Sequence, residues 1–116
     1  MQKKEKRRFK RVKRVFYMLC RPFDTTAPWV SATVQDISKG GVSISTMKEF
    51  AKDEILEIKF KTFLKPQPIY VLGRVVSCNE KGRKRVTWVT RISFTDINEE
   101  DKPILQELIQ IFLKKT

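Results

Sequence analysis

Six stretches of this chain read as strands, four of them by apolar side chains recurring with a period of two, one by β-branched and aromatic content and one as a longer apolar run, and only the last stretch of sequence shifts to a helical period. Alternation sends successive side chains to opposite faces of a pleated strand, so each stretch can bury one face and wet the other. The predicted strands cover residues 12–21, 29–35, 41–46, 54–60, 69–77 and 86–94. The first is rich in β-branched and aromatic residues, among them Val12, Val15, Phe16 and Tyr17. The second aligns Val30, Ala32 and Val34, and the third sets Val42 and Ile44 opposite Ser43 and Ser45. The fourth points Leu56, Ile58 and Phe60 inward against Glu57 and Lys59. Gly73 marks a bend or bulge in the fifth, and the sixth aligns Val86, Trp88, Ile92 and Phe94. Turn chemistry separates them: Asp24, Thr25 and Thr26 between two prolines, residues 36–40, Pro66 and Pro68, and a hairpin turn over 79–84 containing Lys81-Gly82. From about residue 98 to 114 the period changes. Ile104, Leu105, Leu108, Ile109 and Phe112 share one helical face, Glu99, Glu100 and Asp101 suit a first turn, and Asp96 or Asn98 can cap it. The expectation is a mainly β fold over 12–116: a small six-stranded antiparallel barrel or sandwich with one C-terminal α-helix. At 116 residues the chain is one domain with a single core.

Charge is distributed unevenly. Nine lysines and arginines against Glu5 put +8 of the net +12 into the first fourteen residues, so the barrel itself is only mildly basic. Residues 1–11 are therefore expected to be a flexible basic arm, self-repelling and poor in apolar groups, that seeks an anionic partner. Arg83, Lys84 and Arg85 form a second basic group, read either as a solvated hairpin tip or as a patch for a partner or for lipid headgroups. No apolar stretch follows the basic start as a secretory signal would require, and none reaches the ~18–20 apolar residues that cross a bilayer. Cys20 and Cys78 are read as reduced, half-buried thiols of a cytoplasmic protein. With no histidine, no clustered cysteines and no visible base beside either thiol, neither a metal site nor catalysis is expected.

Two motifs carry the chemistry. Arg7 and Arg11 stand four apart on the arm, with Arg8 between them, and Asp36-Ile37-Ser38-Lys39-Gly40-Gly41 lies between the second and third predicted strands. A guanidinium fork pairs two N–H donors with phosphate oxygens or with the O6 and N7 edge of guanine. Asp36 can accept from guanine N1–H and N2–H, Ser38 can bond a phosphate or a backbone N–H, and the glycines let the main chain come close to a ligand. A basic tail or an ordinary β-turn would account for either motif alone. In this order, with the arm running into a first strand and a helix after the sixth, they resemble the RxxxR and (D/N)xSxxG motifs of the PilZ domain, a bacterial receptor for cyclic di-GMP.

That resemblance extends through Leu72-Gly73-Arg74-Val75-Val76 and Ile92-Ser93-Phe94-Thr95-Asp96. It implies a six-stranded PilZ-type β-barrel with a C-terminal helix, no enzymatic activity, no cofactor, and cyclic di-GMP as ligand. Arg7, Arg8 and Arg11 would then clamp the ligand from the arm, and Asp36, Ser38, Gly40 and Gly41 would meet it from the barrel. The resemblance further implies a cytoplasmic protein that signals to a downstream partner, with motility or biofilm formation as the output. Arg91 stands where the family often has glycine, and it can either crowd the pocket or add an anion contact. Lys10 and Arg14 share the spacing of the arm arginines, so a second register of the arm stays open. Trp88 is a further candidate, as a stacking platform, beside the commoner reading of barrel packing. Two other functions compete: a degenerate PilZ-fold adaptor that binds only protein, and a basic nucleic-acid-binding barrel. The concentration of charge on the arm argues against nucleic acid, and the basic groups leave room for peripheral contact with a membrane.

Overall fold

The computed structural model describes residues 16–115, and the arm residues Arg7, Arg8 and Arg11, with the predicted strand residues 12–15, lie outside them. Six strands form the barrel: β1 (Phe16–Pro22), β2 (Val30–Ser38), β3 (Gly41–Thr46), β4 (Ile55–Thr62), β5 (Ile69–Lys81) and β6 (Thr87–Ile97). A 3₁₀ turn at Glu99–Asp101 leads into helix α1 (Lys102–Lys115). The strands close in the order β1-β2-β3-β6-β5-β4, each antiparallel to its neighbours. Closure gives each strand a partner on both sides within the barrel; past Val75, β5 pairs with β6 alone among the described residues.

The alternation seen in sequence is the alternation that fills the barrel. Val42 and Ile44 from β3, Leu56, Ile58 and Phe60 from β4, and Ile69, Val71 and Val75 from β5 are buried, with Met18, Cys20, Ile37 and Ile92 from the other strands. Phe60 and Phe94 meet edge to face, their ring centroids 6.4 Å apart. Leu105, Leu108, Ile109 and Phe112 bring the apolar face of α1 into the same core. The helix is pinned at its start by Asp101, which is 4 % exposed and whose Oδ1 accepts from Lys65 Nζ at 2.7 Å.

Several expectations need correction. The helix begins at Lys102 behind the 3₁₀ turn, and Asn98 makes no side-chain cap. β2 runs on through Ser38, so Asp36 and Ser38 are strand residues and the loop is Lys39-Gly40 alone. β5 continues to Lys81, because the β5–β6 ladder projects past the barrel, where Glu80 pairs with Trp88 and Lys81 with Thr87. The loop between them is residues 82–86, which leaves Val86 43 % exposed and outside the strand instead of facing inward. Cys20 is fully buried and only Cys78 is half-buried; both are free thiols.

The strand directions give the barrel two distinct ends. At one end lie the start of β1, the β2–β3 turn, the β4–β5 loop and α1. At the other lie the β5–β6 hairpin tip and the ends of β1 and β3.

Candidate functional site

On strict alternation from Val34, Asp36 would face the core. The β2–β3 register instead shifts: Val34 pairs with Ile44 and Asp36 with Ser43, leaving Gln35 as an extra residue. One inserted residue exchanges the faces of everything after it. Ile37 is thereby buried opposite Val42, and Asp36 and Ser38 turn outward. A second bulge lies in β5, where Val75 pairs with Ile92 and Ser77 with Arg91, so that Val76 is the extra residue and is exposed. Between the two bulges, Asp36, Ser43, Arg91 and Ser77 form one cross-strand row, and Ser38, Gly41, Ser93 and Arg74 form the next.

This stretch of surface is concave. An open cleft of about 270 Å³ is lined by Asp36, Ser38, Gly40 and Gly41 on one side and by Arg91 and Ser93 on the other, with Ser43 and Val76 completing it. Four of the barrel-side residues singled out in sequence therefore converge with Arg91 in one place. Ser43, Ser93 and Val76 were not singled out. The serines sit among apolar neighbours as ordinary strand polar positions, and Val76 is an apolar residue on the outward side of β5.

The turn that forms one wall is held from within. Ser38 Oγ accepts from Gly40 N at 3.3 Å and lies 3.5 Å from the Gly41 carbonyl oxygen. The Gly40 carbonyl accepts from Phe94 N at 2.9 Å, which ties the turn to β6. Asp36 Oδ1 accepts from Ile37 N at 2.9 Å, fixing the carboxylate beside its own strand. The two glycines differ in what holds them. A Cβ on Gly41 would collide with the Ile92 carbonyl oxygen, so β3 and β6 can close only over a glycine there. A Cβ on Gly40 would meet nothing within 4 Å, and its φ is not left-handed, so the fold makes no demand for glycine at 40.

No ion pair joins Asp36 or Arg91 to each other or to any other described residue. The cleft thus presents a carboxylate acceptor, a guanidinium and three hydroxyls around a short apolar edge. Such a set suits a ligand that carries both N–H donors and anionic oxygens. Trp88 lies apart from it, half-buried at the other end of the barrel and paired with Thr46 and Glu80. Trp29 is engaged by two cations, with Arg21 and Lys59 each 4.3 Å from its ring centroid. A larger groove of about 760 Å³ lies between the same turn and α1, from Ser38 and Lys39 across to Gln106 and Gln110. Its charged groups are Lys39 and Glu107. Among the described residues, no group of three potential ligands could hold a metal ion, and no helix is long and apolar enough to cross a membrane.

Set against known families, the sequence matches the one described as PilZ domain over residues 5–111. No curated protein and no solved structure matches it.

Proposed function

The chain belongs to the PilZ domain family, a family of cyclic di-GMP receptors and adaptors rather than enzymes, and from that premise we propose that it binds cyclic di-GMP in the cleft beside the Lys39-Gly40 turn and passes the bound state to a partner protein. One observation carries this reading: Asp36, Ser38, Gly40 and Gly41 meet Arg91 in a single open cleft whose wall is already hydrogen-bonded into place. Asp36 accepts from the guanine N1–H and N2–H edge, and Arg91 takes a phosphate oxygen or guanine O6 and N7 from the facing strand. Arg91 lines the cleft without filling it, which favours its service as an added contact over its action as a plug.

The arm supplies the rest. β1 is antiparallel to β2 with Met18 opposite Ala32, so Phe16 lies toward the part of β2 that leads to Asp36. Arg11 is five residues before Phe16 and Arg7 nine. At ~3.3–3.6 Å per extended residue those tethers span up to roughly 17 and 30 Å. Binding would order the arm, and the ordered arm is the signal in this reading, at some cost in affinity for the entropy lost. Membership of the family, and not any residue of the cleft, is what supports a cytoplasmic setting with motility or biofilm formation as the output.

Calorimetric titration tests the reading. The expected result is saturable heat with cyclic di-GMP and, at a hundredfold excess over Kd, stabilisation by about 2.7 kcal/mol in thermal melts. Arg7→Ala and Arg11→Ala should each weaken binding by about 1–3 kcal/mol. If Lys10→Ala and Arg14→Ala weaken it instead, the arm binds in the other register. Absence of both heat and melting shift would leave a protein-binding adaptor.

A further inference from the structure

Lys81, Arg83, Lys84 and Arg85 stand at the end of the barrel opposite the β2–β3 turn and α1, on a hairpin that projects beyond the core and is exposed throughout residues 79–86. We propose that this end is a docking surface for an anionic lipid bilayer, with the hairpin tip and the adjoining Met47-Lys48 corner resting at the headgroup level.

The tip is built rather than loose. The β5–β6 ladder continues to the pair Lys81 and Thr87, and Thr87 Oγ1 lies 3.4 Å from the Lys81 carbonyl. Gly82 has φ 98, and a Cβ there would collide with the Arg85 carbonyl oxygen, so the turn needs this glycine. The four cations are therefore carried on a defined frame. None of them forms an ion pair with a described residue, although Lys65, Arg74 and Lys102 elsewhere all do. Glu49 and Glu80 are the neighbouring carboxylates, and neither pairs with a described cation. The surface holds its charge for something outside the chain.

What lies between the cations identifies the partner. Val86 is 43 % exposed and Met47 68 % exposed. Met47 follows Thr46, which pairs with Trp88 across the β3–β6 ladder. Thr46 Oγ1 accepts from Lys48 N at 3.2 Å and donates to the Lys48 carbonyl at 2.7 Å, which closes the corner and turns Met47 outward. Aliphatic side chains set among lysines and arginines match a membrane interface, where the chains enter the acyl boundary and the cations stay with the phosphates. A single-stranded nucleic acid would be met by exposed aromatic platforms among the cations; Trp88 on this ladder is half-buried, and the exposed Phe23 at this end belongs to the loop after β1, beside Asp24 and Glu57, and not to the hairpin. Docked in this way, the protein would hold α1 at the far end of β6, an 11-residue strand of roughly 35 Å, with the cleft at Arg91 and Ser93 midway along it.

Because the arm is also basic, the test reads the tip itself. In a Trp29→Phe, Met47→Trp protein both tryptophans lie at this end. They should be quenched by vesicles containing 30 % phosphatidylserine with brominated acyl chains, and remain unquenched by phosphatidylcholine vesicles. Arg83→Gln, Lys84→Gln and Arg85→Gln together should cut vesicle partitioning at least tenfold while leaving the thermal melt unchanged. Vesicle binding within twofold of the wild type in that triple variant, or bound protein with unquenched tryptophans, would overturn the proposal. So would tip-dependent binding of an oligonucleotide without binding of vesicles.

Discussion

Gly40 and Gly41 are neighbours, yet the barrel asks different things of them. Gly41 is required by the close approach of the Ile92 carbonyl, so Gly41→Ala should destabilise the fold by about 1–3 kcal/mol through overpacking. Gly40 has open space around it and no left-handed φ. Gly40→Ala should therefore raise stability slightly, by about 0.4–1 kcal/mol, through the unfolded chain. The same change should weaken cyclic di-GMP binding, since a methyl would stand where the ligand approaches. Urea melts and titration of the two variants separate the structural glycine from the functional one. The motif was legible in sequence, but this division was not, because it depends on a carbonyl from β6 that lies fifty residues away. Cys20 offers a second residue-scale check. Burial pushes its thiol from 9.0 up to about 12. The unfolded chain releases this proton near pH 9 while the folded barrel holds it, so the contribution is intact below pH 9 and is lost as pH rises from 9 to about 12. Equilibrium unfolding of Cys20→Ala should show a shallower alkaline loss than the wild type, each measured relative to its own stability at pH 7.

At the scale of elements, period-two alternation together with β-branched and apolar runs was enough to foresee all six strands, and the helical period was enough to foresee α1. It failed where pairing is not driven by burial. Asn79, Glu80 and Lys81 carry no apolar signature and still form a ladder, because the hairpin extends into solvent on backbone hydrogen bonds. The bulges at Gln35 and Val76 were also invisible, although they turn Asp36 outward and set the edge of the cleft. A bulge is an offset between two strands, and no single strand's sequence records it. The attachment of α1 through Lys65 and Asp101 likewise joins distant loops. Lys65→Met would leave the Asp101 carboxylate buried without its cation, and a loss of about 1–3 kcal/mol is expected in chemical denaturation. The double variant with Asp101→Asn should recover part of that loss, since no charge is then left buried.

Taken whole, the molecule is a closed barrel with two chemically different ends. One end gathers the β2–β3 turn, the start of β1 and the helix, the cleft runs from that turn to the middle of β6, and the other end carries the basic hairpin. The arm was the strongest functional signal in sequence, and it leads into the end where the cleft begins. The central claim is that the cleft is the nucleotide site, and it rests on groups facing each other across β2, β3 and β6. Parallel calorimetric titrations of the wild type, Asp36→Ala and Arg91→Ala with cyclic di-GMP test it most directly. Each variant should remain folded, because both side chains are exposed, and each should bind about 5- to 150-fold more weakly, the equivalent of about 1–3 kcal/mol. Wild-type affinity in both variants would place the ligand elsewhere and contradict the account.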